Sequence, residues 1–298
     1  MSLLAYCDIK FCVFRLQLLL QVLVSTLLLL SGTPLRADVS SAMLAMENPA
    51  NPLFRFTTSR GTLYLELFPA EAPENVANFM ALAEGKVTFQ DPVSNSSYTP
   101  RYYNGMRFHR IIPGFVIQAG SPHYHPLGFP ERLLRDEINA GALGLDRLTV
   151  LADDGSINPI LNITDQDDLT QRILDPLYAQ MNINSLEKLK DQQSQVLISL
   201  QSLTVMQLYQ YEGFSYQSDF PTRGFQRGTV AMANDGPGRN GPEFFITLAD
   251  TRWLNGRYTI IGRVVEGMEI ADSIGSEAVN PATPDPASPY IYAIQRAN

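Results

Sequence analysis

Cysteine is almost absent from this chain. Only Cys7 and Cys12 occur, both near the N-terminus, so the rest of the chain can build no disulfide framework, thiol nucleophile or cysteine-based metal site. Histidine is scarce too, with His109, His123 and His125 alone. The common catalytic signatures are missing: there is no G-x-S-x-G elbow, no H-E-x-x-H and no Walker loop. Positive charge is thin. The formal net charge is −8 and no basic run lies beyond the N-terminal stretch, which argues against nucleic acid as a partner, since phosphate contacts need clustered Lys and Arg.

What is present begins with a leader. Lys10 and Arg15 precede a leucine-rich run over residues 16–30, which Ser31, Gly32, Thr33 and Pro34 break. Basic residues, an apolar stretch and a small residue at Ala37 follow the order of a secretory signal, so residues 1–37 are expected to be a signal peptide cut after Ala37. Both cysteines lie inside it. The expected location is periplasmic or otherwise exported. The alternative is an anchor in the inner membrane facing the periplasm, because the apolar stretch reaches back to Phe11 and is long enough to span a bilayer, and Leu35 and Arg36 make an imperfect cleavage site. Any membrane contact is expected only through that uncleaved leader.

The remainder reads as a soluble globular chain. Hydrophobic residues make up 45% and charged ones 17%, which leaves ample material for a core. Residues 38–52 read as a linker. Residues 54–58 and 62–68 form a β-hairpin around Ser59-Arg60-Gly61. Pro73 opens a helix in which Val76, Phe79, Met80 and Ala83 recur at helical spacing, and Gly85 ends it. Residues 91–100 read as a loop. Short apolar strands follow at 107–112, 115–119, 229–233, 244–248 and 258–265, then a short helix at 266–274 and a last strand at 290–294. Many short strands and few helices suggest a barrel or sandwich. Residues 139–219 differ. They are acidic and helical in pattern, with an Asn184/Glu187 capping box, leucines at near-helical spacing from Leu186 to Leu208, and Gly213 as a stop. They read as a helical insertion dividing a β domain into 53–138 and 220–298.

Two segments carry chemical information. The first runs Phe108-His109-Arg110-Ile111-Ile112-Pro113-Gly114-Phe115-Val116-Ile117-Gln118-Ala119-Gly120 and sets a cation and an amide among apolar strand residues. The second runs from Gly228 through Ala231-Met232-Ala233-Asn234 and Asn240-Gly241-Pro242-Glu243-Phe244-Phe245 to Thr247, with Trp253-Leu254-Asn255-Gly256-Arg257-Tyr258 shortly after. On composition alone this is a glycine-rich turn between strands followed by an aromatic cluster, and core packing is the commoner fate of residues such as Phe115, Phe245 and Leu254. His123 and His125 have an H-x-H spacing that can bind metal, but two ligands alone are a weak signal, and a plain loop is the simpler account.

These two segments closely resemble the cyclophilin family of peptidyl-prolyl cis/trans isomerases. Pro73-Glu74-Asn75-Val76-Ala77-Asn78-Phe79 looks like the family's first helix, and the segment 262–268 resembles the one before its last helix. The resemblance covers about 54–137 and 221–294 and implies a mainly β fold: a closed eight-stranded antiparallel barrel capped by two helices, plus the α-helical insertion. It implies Arg110 as catalytic residue, Phe115, Phe245 and Leu254 as floor and walls of a proline pocket, Gln118, Ala233 and Asn234 as groups holding the substrate backbone, and His109 and Trp253 at the rim. Three positions depart from the pattern. Val116 stands where methionine is usual, Glu243 replaces a glutamine, and Tyr258 replaces a histidine at the rim. Ionised glutamate only accepts hydrogen bonds, whereas glutamine also donates, so Glu243 is expected to adjust substrate preference rather than act as a base. No metal or other cofactor is implied. The implied partners are proline-containing unfolded or flexible polypeptides, met by a monomer. A proline-binding module with little turnover, or a chaperone using the insertion to capture chains, are the competing readings. The insertion is expected to be dispensable for the chemistry, because the family motifs flank it.

Overall fold

A computed structural model describes residues 37–91, 94–126, 128, 132–280, 282 and 287–298. The leader expectation falls on residues 1–36, outside the described residues. Among the described residues no helix is long and apolar enough to cross a membrane.

The framework is one eight-stranded antiparallel sheet in the order β10-β1-β2-β9-β7-β8-β6-β5. The strands are β1 (Leu53–Thr58), β2 (Gly61–Leu67), β5 (Arg110–Ile112), β6 (Val116–Ala119), β7 (Thr229–Asn234), β8 (Asn240–Thr247), β9 (Ile260–Glu266) and β10 (Ile291–Arg296). A separate two-stranded ribbon pairs β3 (Phe89–Gln90) with β4 (Ser97–Tyr98), so the stretch read as a loop contains a short strand at Ser97–Tyr98. The expected β1/β2 hairpin forms, with Leu53 opposite Glu66 and Thr58 opposite Gly61.

The sheet curls into a half-barrel, and the expected closed barrel is not completed by a strand ladder. Strands β5 and β10 remain the two edges. Among the described residues no ladder closes the gap; isolated bridges, Arg107 to Tyr290 and Ile111 to Val279, join the chain there. The physical reason is local. Strand β5 has three residues, and Pro289, just ahead of β10, has no N–H to donate to a ladder.

The concave side holds the main core. Helix α2 (Pro73–Glu84) buries Val76, Phe79, Leu82 and Ala83 and ends at Gly85, which adopts the left-handed conformation (φ 71°) that glycine enters without strain. Phe79 stacks on Phe56 at 6.3 Å and meets Phe244 edge-on at 5.6 Å, a geometry that suits the ring quadrupoles. Near the other end of the chain, helix α8 (Met268–Ile274) buries Ala271 and Ile274.

The stretch expected as a linker is docked instead. Helix α1 (Val39–Ala45) buries Ala42 in a small cluster with Leu53 and Tyr64. The fully buried Glu66 carboxylate accepts the backbone N–H groups of Glu47 and Asn48 at 3.0 Å each, the Asn51 amide at 2.9 Å and Arg263 Nε at 3.2 Å. Burial alone would raise the Glu66 carboxyl, but those four donors together hold it below its ordinary value. A carboxyl lowered on folding stabilises the folded state above its unfolded value, and that contribution disappears as pH falls through the folded one. Acidification below about pH 4 should therefore release the segment, read as faster amide hydrogen exchange at Glu47 and Asn48. Glu66→Gln should show fast exchange already at neutral pH and a flatter acid profile. An unchanged acid profile in that variant would remove Glu66 as the cause.

Between β6 and β7 the chain builds a second apolar cluster of its own, including Leu145, Val150, Leu161, Ile173, Leu177, Leu203, Leu208 and Tyr209. Its helices are α3 (Gln166–Leu169), a π-helical turn over Thr170–Leu174, α4 (Asp175–Gln180), α5 (Leu186–Asp191), α6 (Gln193–Ser202) and α7 (Val205–Tyr211). The leucine pattern from Leu186 onward is thus three short helices. The last break comes where the carbonyl of Leu203 accepts the N–H of Val150 at 2.8 Å, which draws the backbone out of the helix. The expected Asn184/Glu187 box is one residue out of register: Ser185 caps α5 by accepting the N–H of Lys188. The capping box lies instead at Thr204 and Gln207, which begin α7.

Candidate active site

Strand alternation assembles the site on the convex side. In antiparallel pairing, directly opposed residues share a face. Arg110 lies opposite Gln118, Gln118 opposite Phe245, and Phe245 opposite Ala231, so one row crosses β5, β6, β8 and β7. The neighbouring row, Ile111, Ile117, Ile246 and Val230, turns inward to the core. Adjacent phenylalanines therefore part ways: Phe244 packs in the main core and Phe245 in an outer cluster with Phe68, Val116, Phe225, Ala231 and Ile260.

Above that outer cluster lies a cleft of about 250 Å³. Phe115, Val116, Phe245 and Leu254 give it an apolar lining, Arg110, Gln118 and Asn234 a polar one, and Ala233 and Tyr258 complete it. Trp253 stacks on Phe115 with centroids 6.0 Å apart, and Tyr258 stands edge-on to Phe245 at 5.3 Å. A second hollow of about 410 Å³ adjoins it, sharing Gln118, Ala233 and Asn234 and bounded by Glu243, Arg239 and Leu133.

A hydrogen-bonded chain runs along the cleft. Arg110 Nη1 donates to Gln118 Oε1 at 3.0 Å, and Gln118 Nε2 donates to Glu243 Oε1 at 2.7 Å. His109 Nε2 lies 2.6 Å from the same carboxylate oxygen. Its direction is fixed by chemistry. A guanidinium only donates and an ionised carboxylate only accepts, so the Gln118 amide must turn its oxygen to Arg110 and its nitrogen to Glu243. The same logic puts a hydrogen on His109 Nε2. Among the described residues Arg110 enters no ion pair; it donates to the neutral amide of Gln118, which leaves its charge available to a ligand.

The family profile described as cyclophilin-type peptidyl-prolyl cis-trans isomerase matches residues 53–294. The chain belongs to the cyclophilin family. It is an enzyme, a peptidyl-prolyl cis-trans isomerase of cyclophilin type. Among its relatives is peptidyl-prolyl cis-trans isomerase B of Streptomyces anulatus, 27% identical, the match covering 78% of this chain and 89% of that protein. Another is peptidyl-prolyl cis-trans isomerase-like 1 of Emericella nidulans, 28% identical over 76% of this chain and 82% of that one. Among solved structures, a cyclophilin-type isomerase from Cryptosporidium parvum matches 84% of this chain and 99% of its own at 20% identity, with a TM-score of 0.44.

All of the cleft-lining residues of this cyclophilin were named from sequence. Glu243 borders the second hollow. His109, expected at the rim, is buried to 7% exposure against Glu243, and among the described residues its Nδ1 has no hydrogen-bond partner. His125 packs flat on Tyr102 at 4.2 Å, and burial lowers its pKa. Two contributors have no role assigned from sequence. Phe225 lies parallel beneath Phe245 at 5.9 Å and supports the pocket floor; its only local signal is an isolated aromatic just ahead of β7. Arg257 is the other; it stands in the run from Trp253 to Tyr258, but nothing in that run says what its side chain meets.

Proposed function

We propose that the protein accelerates rotation about X-Pro bonds in exported polypeptides, with Arg110 as the catalytic cation. An X-Pro bond crosses a barrier of about 18–20 kcal/mol that comes from C–N resonance, and uncatalysed interconversion takes about tens to hundreds of seconds. Twisting the bond localises a lone pair on the prolyl nitrogen. A fixed cationic donor attracts that nitrogen more strongly than the planar one, so it binds the transition state better than the ground state. Arginine suits this because its charge is permanent and its fork rigid. The apolar surfaces of Phe115, Phe245 and Leu254 would hold the proline ring still while the preceding carbonyl swings, and Gln118 and Asn234 would bind the flanking backbone.

The observation that carries this reading is an arginine at the edge of an apolar cleft that, among the described residues, donates to a neutral amide and enters no ion pair. No bond is made or broken and no proton moves. The experiment is a protease-free isomerisation assay of residues 38–298 on a proline-containing tetrapeptide, in which a rate equal to the uncatalysed one would sink it. Export rests on the leader pattern alone. Mass spectrometry of the cell-envelope protein should find a new N-terminus near Asp38, whereas intact Met1 in membrane-bound protein would support the anchored alternative.

A further inference from the structure

The wall of the proline pocket is not free-standing. Leu254 and Tyr258 sit on the connection between β8 and β9, together with Trp253, and the helical segment 139–219 grips that connection from behind. The turn Pro159–Leu161 packs against the turn Arg252–Leu254. Tyr216 donates its hydroxyl to the carbonyl of Gly256 at 2.9 Å. Gly256 has φ +85°, and a Cβ there would lie 2.5 Å from Leu145 Cδ1 and 3.2 Å from the Tyr209 ring. Leu145 and Tyr209 both belong to the segment's own core, so the pocket connection and that core touch without a gap.

Arg257 joins the two sides through different atoms. Its side chain belongs to the segment: Nη2 donates to Glu212 at 2.8 Å, and the guanidinium lies over the rings of Tyr209 and Phe214 at 5.1 and 5.7 Å. Its backbone belongs to the pocket: the carbonyl accepts Asn234 Nδ2 at 3.0 Å. Tyr258, the next residue, lines the cleft. An exposed ion pair would hold such a loop weakly, but this one is largely buried, with 24% exposure at Arg257 and 13% at Glu212. Burial raises the Glu212 carboxyl while the charges of Arg257 and Arg172 pull the other way, so loss of Arg257 would leave a buried carboxylate with less compensation.

We propose that Arg257 is a positioning residue through which the helical segment sets the place of Asn234, Leu254 and Tyr258, making the segment a structural part of the isomerase pocket. The proposal rests on the isomerase reading of the cleft. It reverses the expectation that the segment is dispensable for the chemistry, because the flanking motifs complete the pocket only with that segment behind them.

The test uses variants of groups that line neither hollow. Glu212→Gln removes the charge partner while keeping the shape, and Arg257→Lys keeps the charge but loses the planar fork and its stacking. Trp253 is the only tryptophan in the chain, so intrinsic fluorescence reports on this connection without a label. Glu212→Gln should lower kcat/KM for a proline tetrapeptide by about threefold to thirtyfold, mainly through KM, shift Trp253 emission and increase its quenching by acrylamide. Arg257→Lys should fall between that variant and the wild type. Arg110→Ala, run alongside, should lose turnover without moving Trp253 emission. If the wild type itself shows no turnover, the isomerase reading fails; peptide affinity and Trp253 emission then still judge the clamp. Should Glu212→Gln not fold, Arg257→Lys decides alone. Unchanged KM and unchanged Trp253 emission in a folded variant of either kind would overturn the proposal.

Discussion

Replacing Arg110 with alanine should lower catalytic efficiency by about 10²–10³-fold while leaving the fold and most peptide affinity in place. A hydrogen bond to a charged group contributes about 1.5–3 kcal/mol, and a preorganised transition-state donor in a partly dry site about 2.7–4 kcal/mol. Arg110 is half-buried, and its loss frees Gln118 Oε1, which borders the open cleft and can take a water instead. The apolar lining of Phe115, Phe245 and Leu254 remains for the proline ring. The loss should therefore fall mainly on kcat. Arg110→Lys should recover only part of it, since an ammonium lacks the planar fork. Protease-free isomerisation kinetics with circular dichroism as the folding control makes the measurement. Full activity in a folded Arg110→Ala protein would mean that Arg110 is an ordinary surface residue.

The site was legible because it is local along strands. Once residues 108–120 and 228–247 are read as β, a period of two places Arg110, Gln118 and Phe245 on one face and Ile111, Ile117 and Phe244 on the other, and the family pattern does the rest. What escaped depends on contacts between residues far apart in the chain. Arg257 stands in the run from Trp253 to Tyr258, but what it holds depends on Glu212 and Tyr209, which arrive from 45 and 48 residues away. Glu66 alternates with leucines as a solvent-facing strand residue would, and only the N-terminal segment folded over it makes it fully buried. Closure of the sheet was decided by its edges, where β5 has only three residues and Pro289 stands just ahead of β10, and a pattern of short strands contains no measure of how its two ends meet. The α5 cap slipped by one residue because Asn184 and Ser185 are both good N-cap residues.

Glu243 should prove to be a second positioning group, and its two substitutions should separate shape from charge. Its carboxylate oxygen takes hydrogen bonds from Gln118 and His109 at 2.7 and 2.6 Å. Glu243→Ala would leave both nitrogens without an acceptor in a largely buried place, and an orphaned buried donor costs about 1–3 kcal/mol. It would also free the Gln118 amide to turn over, so that its oxygen no longer faces Arg110 in every molecule. The expected loss in kcat/KM is about 5–50-fold, with a lower melting temperature. Glu243→Gln keeps an acceptor oxygen for Gln118, and the proposed reaction needs no base, so activity should be retained or raised, with a changed preference for the residues around proline. A panel of tetrapeptides differing at those positions, assayed on both variants, reads both effects. Wild-type kinetics in the alanine variant would show that the pinned amide is irrelevant to catalysis. A collapse in Glu243→Gln would show instead that the negative charge itself holds the Gln118–Arg110 pair in its working arrangement.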